Sequence, residues 1–124
     1  MSIIVAGGYD GSSIKSSVEI LNEGSNEWQT GPELPLSIVW SQMVEDPNGG
    51  VVLIGGESKA ASLDTLYQLP HGGQDAVWTK MEQKLKTGRF YHTAFLIPDN
   101  PVDCFLNLSI YLNWTICWLI RTVI

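Results

Sequence analysis

The stretch IIVAGG (Ile3–Gly8) returns as VVLIGG (Val51–Gly56), 48 residues on, and no other feature constrains the fold of this chain as tightly. Trp28 in NEWQT returns as Trp78 in AVWTK, 50 residues on. IVWSQMVEDP (Ile38–Pro47) returns as RFYHTAFLIP (Arg89–Pro98), 51 residues on. Three landmarks in one order and at nearly one step define an internal repeat. Units of that length cannot bury an apolar face alone and must stack to share a core.

Between the landmarks the residues read as short strands. Ile3–Ala6 is an apolar run bounded by glycine, and in Ser17–Leu21 the apolar Val18 and Ile20 alternate with Glu19. Glu27–Thr30 carries the first tryptophan, and Ile38–Val44, Val51–Ile54, Thr65–Leu69, Ala76–Lys80 and Tyr91–Ile97 continue the series. Turn signals separate them: Asp10-Gly11, Gly24–Asn26, Pro32, Asp46–Gly50, Pro70–Gly73 and Pro98–Pro101. Strands of this length and spacing, with no amphipathic helix between them, predict an all-β fold. A four-strand unit repeating near this length is a propeller blade, a twisted antiparallel sheet packed against its neighbours around an axis. One blade is complete between Ile38 and Met81. The first opens on its Gly-Gly strand, and the third holds only its opening strand, Tyr91–Ile97.

At this point the residues resemble a family. AGGYDGSSIKSSVEILNEGSNEW (Ala6–Trp28) is similar to a kelch repeat: an apolar run, a double glycine, a loop, Ser-Val-Glu, a turn and a tryptophan. Leu53–Trp78 resembles a second, weaker copy, and Lys86–Pro98 the opening of a third. The resemblance implies an incomplete kelch β-propeller over residues 1–98, with the double glycines near the axis and Trp28 and Trp78 between blades on fourth strands. It also implies a protein-interaction module, as in the substrate-recognition propellers of BTB-kelch ubiquitin-ligase adaptors or in actin-binding propellers.

Strand parity adds a direction. The connections between second and third strands (Tyr9–Ser16, Glu57–Asp64) emerge at the same end as those between successive blades (Gly31–Ser37, Glu82–Gly88). Loops on a rigid scaffold are where binding residues concentrate. The resemblance makes these loops the binding face. Tyr9, Asp10, Glu57 and Ser58, which follow the glycines, and Arg89 are the candidate partner-binding residues.

Other functions are disfavoured. Lys and Arg number 7 against 13 Asp and Glu, a formal charge of −6, so no basic cluster is available for a phosphate backbone and nucleic acid is not an expected partner. No nucleophile elbow, phosphate loop, dinucleotide glycine pattern or metal-spaced His and Cys set occurs, so the expectation is no enzyme activity, no cofactor and no metal. Glu19 reads as a structural carboxylate, and His92 has no candidate partner nearby in sequence. A remnant of a kelch-type sugar enzyme is the remote enzymatic alternative. Cys104 and Cys117 read as reduced thiols, and the N-terminus has no secretory pattern, so a cytoplasmic protein is expected.

From Val102 the repeat stops, so residues 99–124 form a separate apolar tail. Cys104–Ile120 carries no charge, which would allow a membrane-tethered kelch fragment. Yet apolar residues occupy every even position from Leu106 to Ile120, the period of a strand. An amphipathic strand or unstructured segment, a membrane anchor and a helix packed on protein all stay open. The chain reads as a fragment or altered product of a longer protein. Its blades are too few to close a ring, so it is expected to be marginal alone, to self-associate or to complete a ring with other chains.

Overall fold

The computed structural model describes residues 2–71 and 76–97; every expectation for the tail lies outside them. The described residues build two antiparallel sheets and no helix. The first has three strands in the order β1 (Ile3–Ala6), β2 (Val18–Leu21), β3 (Gln29–Thr30). The second has four: β4 (Gln42–Glu45), β5 (Gly50–Ile54), β6 (Thr65–Pro70) and β7 (Thr79–Lys84). The described residues are all-β, and their three-stranded and four-stranded sheets are consistent with part of a propeller in which the second sheet is a full blade.

Register explains how the sheets meet. Pairing of Ile4 with Ile20 and of Ala6 with Val18 puts these four side chains on one face of the first sheet. In the second sheet Val51 pairs Leu69, and Leu53 pairs Tyr67, again on one face. The two faces share a core with Leu34 and Ile38, from the β3–β4 connection, and Trp78. Ile38, Val18 and Leu53 are 0, 1 and 2 % exposed, and each such side chain contributes about 1.5–3 kcal/mol by leaving water. The Trp78 indole N–H donates to the Pro32 carbonyl at 2.9 Å, which satisfies the buried donor and ties the sheets together.

The repeat holds at the level of individual hydrogen bonds. Gly8 N–H donates to Ile38 C=O and Gly56 N–H to Arg89 C=O, both at 2.8 Å. The pairs Lys15→Gly8, Ile38→Lys15 and Leu34→Ser16 recur as Leu63→Gly56, Arg89→Leu63 and Leu85→Asp64. The double glycines are what this arrangement requires. Gly7 and Gly8 have φ of 68° and 101°, Gly55 and Gly56 of 57° and 96°, a region side chains rarely adopt. A Cβ on Gly55 would also lie 2.8 Å from the Arg89 carbonyl oxygen.

Several expectations need correction. Trp28 does not fill a space between sheets: it precedes β3 and is 48 % exposed, whereas Trp78 is buried at 7 %. Trp78 has the first sheet to pack on, and none of the described residues covers Trp28. The expected strand Ile38–Val44 begins only at Gln42, because Trp40 turns the backbone to a φ of 56°. Tyr91, its repeat equivalent, has a φ of 54°, and Tyr91–Ile97 forms no strand: that kink breaks its start and no described strand lies beside it. β7 runs on to Lys84, beyond the expected Lys80, through an irregularity between Thr65 and Tyr67 of β6.

Candidate functional site

Antiparallel order sends β1, β3, β5 and β7 towards one end, so the connections 7–17, 31–41, 55–64 and 85–91 all emerge there. Backbone bonds lock them in sequence. Ile38 joins the first connection through Gly8 and Lys15. Val39 and Glu57 exchange both backbone bonds, at 2.9 and 2.8 Å, linking the β3–β4 connection to the β5–β6 loop. Gly56 and Leu63 hold Arg89, and Tyr91 N–H donates to Trp40 C=O at 3.2 Å. The result is a rim whose loops are braced on one another rather than on side chains alone.

The candidate residues sit along this rim. Tyr9 is 58 % exposed, and its hydroxyl donates to the Gly11 carbonyl at 2.8 Å, which fixes the ring over its own loop. Asp10 forms an ion pair with Lys15 and accepts the Ser12 and Ser13 N–H groups, each at 2.8 Å. The Lys15 ammonium foremost, then these N–H groups and the Ser12 hydroxyl, hold the Asp10 carboxyl well below the usual carboxylate range. Asp10 therefore shapes its loop as much as it charges it. Ser58 N–H donates to Ala61 C=O at 3.1 Å, the repeat of the Asp10 to Ser13 bond. Glu57 is half-buried, with its backbone committed to Val39 and Leu63 bonded to the neighbouring Gly56. Arg89 is exposed, and its Nε donates to the Thr87 carbonyl at 3.4 Å. Tyr9 and Asp10 belong to the first sheet's loop; Glu57, Ser58 and Arg89 gather on the second.

Reasoning from sequence missed three aromatics. Trp40 and Tyr91 stack with ring centroids 4.5 Å apart, and Phe90 meets them at 5.7 and 5.6 Å. All three are exposed, Tyr91 at 70 %. Trp40 and Tyr91 hold left-handed backbone that bulky residues avoid, and strain of this kind is retained where surroundings over-determine it. The alignment of IVWSQ with RFYHT held the signal, two aromatics at one repeat position. His92 packs beside Gly55, and neither ring nitrogen has a partner among the described residues.

Nothing described assembles a metal centre: no three His, Cys, Asp or Glu side chains converge among the described residues. A shallow pocket of about 340 Å³ lies beside the first loop, lined by Val5, Tyr9, Asp10, Lys15 and Glu19 among others. It is open to solvent and contains no nucleophile–base pair. Among the described residues no helix is long and apolar enough to cross a membrane.

Comparison with protein families matches residues 2–35 to the kelch motif. The match covers the whole first sheet and ends in the connection that carries Leu34 into the core. It supports a kelch-repeat family and, in general terms, an interaction module. No curated protein matches the chain significantly.

Proposed function

We propose that this chain is a non-enzymatic, kelch-type protein-interaction module of the cytoplasm that engages a protein partner through the loop end of its two sheets. The observation that carries the reading is the rim itself. Connections from both repeats are pinned by shared backbone bonds, and they present Tyr9, Arg89 and the aromatic group at exposed positions. Preorganised loops bind with little ordering cost, and Tyr, Trp and Arg are favoured anchors at interfaces. Within that class the resemblance favours the role of a substrate-recognition or actin-binding propeller. The acidic balance disfavours nucleic acid as the partner.

The test is affinity capture from cytoplasmic extract with the full chain, comparing Tyr9→Ala/Arg89→Ala with Lys80→Ala/Glu82→Ala on exposed positions of β7. Proteins retained by the native chain should be lost from the loop variant and kept by the β7 variant. Identical recovery on all three would refute the assignment of the loop end.

A further inference from the structure

The interface between the two sheets has two sides, and each recurs, unmatched, elsewhere on the chain. The side that the second sheet offers to the first consists of Val51, Leu53, Tyr67, Leu69 and Trp78. Counting back along the repeat, these positions are Ile3, Val5, Glu19, Leu21 and Trp28 on the first sheet. Ile3, Val5 and Trp28 are 48 to 49 % exposed, and pairing of Ile3 with Leu21 and of Val5 with Glu19 puts those four on one face. The side that the first sheet offers in return is Ile4, Ala6, Val18 and Ile20. Its repeat equivalents are Val52, Ile54, Leu66 and Gln68, half-buried on the outer face of the second sheet. The chain therefore carries a donor face at one end and the matching receiving face at the other.

The strand count points the same way. The second sheet opens with β4, which pairs β5 from Gln42 with Ile54 to Glu45 with Val51. The first sheet has no counterpart among the described residues, so one edge of β1 is unpaired there. The repeat equivalent of β4 is Thr93–Leu96, which belongs to no strand, pairs with none among the described residues and carries two exposed apolar side chains, Phe95 at 80 % and Leu96 at 53 %. It follows β7 in the chain and belongs to neither sheet.

We propose that a second copy of this chain occupies both. Its Thr93–Leu96 segment adds antiparallel to β1 as the fourth strand, with Thr93 opposite Ala6, Ala94 opposite Val5, Phe95 opposite Ile4 and Leu96 opposite Ile3. The outer face of its second sheet covers Ile3, Val5, Leu21 and Trp28. The register is that of β4 on β5, transferred along the repeat, and the contact continues the interface already made inside one chain. The exchange of bonds between Val39 and Glu57 recurs as Phe90 of one copy against Tyr9 of the next. Such a contact is head-to-tail and must close into a ring or run on as a fibre. The described residues of each copy add two sheets, so rings of about two to four copies reach the four to eight blades that propellers use. An apolar edge strand left bare would be an aggregation site, and this pairing covers it.

The experiment uses the full chain with Cys104→Ser and Cys117→Ser, so that introduced thiols stand alone. Val5→Cys and Ala94→Cys proteins are mixed under mild oxidation, with Lys80→Cys and Ala94→Cys as the control mixture. Directly opposed strand residues bring Cβ atoms to about 4.5–5.5 Å, close to disulfide range. A cross-linked dimer should therefore form in the first mixture and not in the control. Sedimentation of the native chain should give a small multiple of 13.7 kDa. Phe95→Asp, which removes a side chain with little contact inside one copy, should weaken association by at least about tenfold while leaving the circular dichroism unchanged. A monomeric native chain would overturn the proposal. So would an assembly that cross-links equally in both mixtures or ignores Phe95→Asp.

Discussion

The indole N–H of Trp78 donates to the carbonyl of Pro32 at 2.9 Å, joining residues 46 apart and fastening the second sheet to the exit of the first. Its repeat equivalent, Trp28, lies at the surface with no such partner among the described residues. Truncating Trp78 to Ala should cost about 3–5 kcal/mol of stability, and Trp78→Phe, which strands the Pro32 carbonyl, about 1–3 kcal/mol. Trp28→Ala in dilute chain should change stability by less than about 0.5 kcal/mol. Urea midpoints check the contrast; equal shifts at the two tryptophans would contradict the packing.

Gly55 sits where a Cβ would lie 2.8 Å from the Arg89 carbonyl oxygen, at a φ of 57°. Gly55→Ala should therefore destabilise by more than about 1 kcal/mol, through strain and the displaced connection together. Because Arg89 is held through the neighbouring Gly56, the same variant should also broaden the amide resonances of Arg89 and Tyr91. Gly24→Ala has the strained backbone without the clash and should cost less. A larger loss at Gly24 would contradict the assigned crowding.

Trp40 and Tyr91 combine a left-handed backbone with a shared stack. Left-handed backbone costs a bulky residue about 1–2 kcal/mol, and an aromatic pair returns about 0.5–1.5 kcal/mol. Tyr91→Gly exchanges one for the other, so its net effect on stability should stay within about 1 kcal/mol. Partner retention at the loop end should nonetheless fall. A loss of several kcal/mol, measured by urea denaturation, would mean that the ring supports the core.

Asp10 titrates below the ordinary carboxylate value of about 3.9 because its charged form is held by Lys15 and the Ser12 and Ser13 amides. A depressed folded value means that the ionised carboxylate supports the loop at pH above the unfolded value. That support fades as pH falls through the folded one. Carboxyl carbon shifts of Asp10 followed by NMR should show a midpoint below that of a model peptide, and Lys15→Ala should raise it. An ordinary midpoint in the native chain would contradict the ion pair.

Much of this architecture is written in the repeat. The spacing of Ile3–Gly8 against Val51–Gly56 leads directly to two sheets, their strand order and the end from which the long connections emerge. What escaped the sequence depends on neighbours. Trp28 and Trp78 look alike in sequence, and only the presence of another sheet decides which is buried. Tyr91–Ile97 has strand composition, but extended backbone needs a paired edge to become a strand. Trp40 and Tyr91 gave no local hint of positive φ, since that conformation is imposed by the bonds of Val39 to Glu57 and of Arg89 to Leu63. The candidate loops were legible as places; the aromatic group beside Arg89 required the fold to assemble it.

Connections from both repeats are joined by backbone bonds into one rim, and a rim preorganised for a partner must hold those bonds closed in solution. Residue-resolved amide hydrogen exchange on the full chain reads this bond by bond. The amides of Gly8, Ile38, Val39, Gly56, Glu57 and Arg89 should exchange as slowly as those of β5 and β6, although all lie outside the strands. Exchange of these amides at the rate of an open loop, with β5 and β6 still protected, would contradict it.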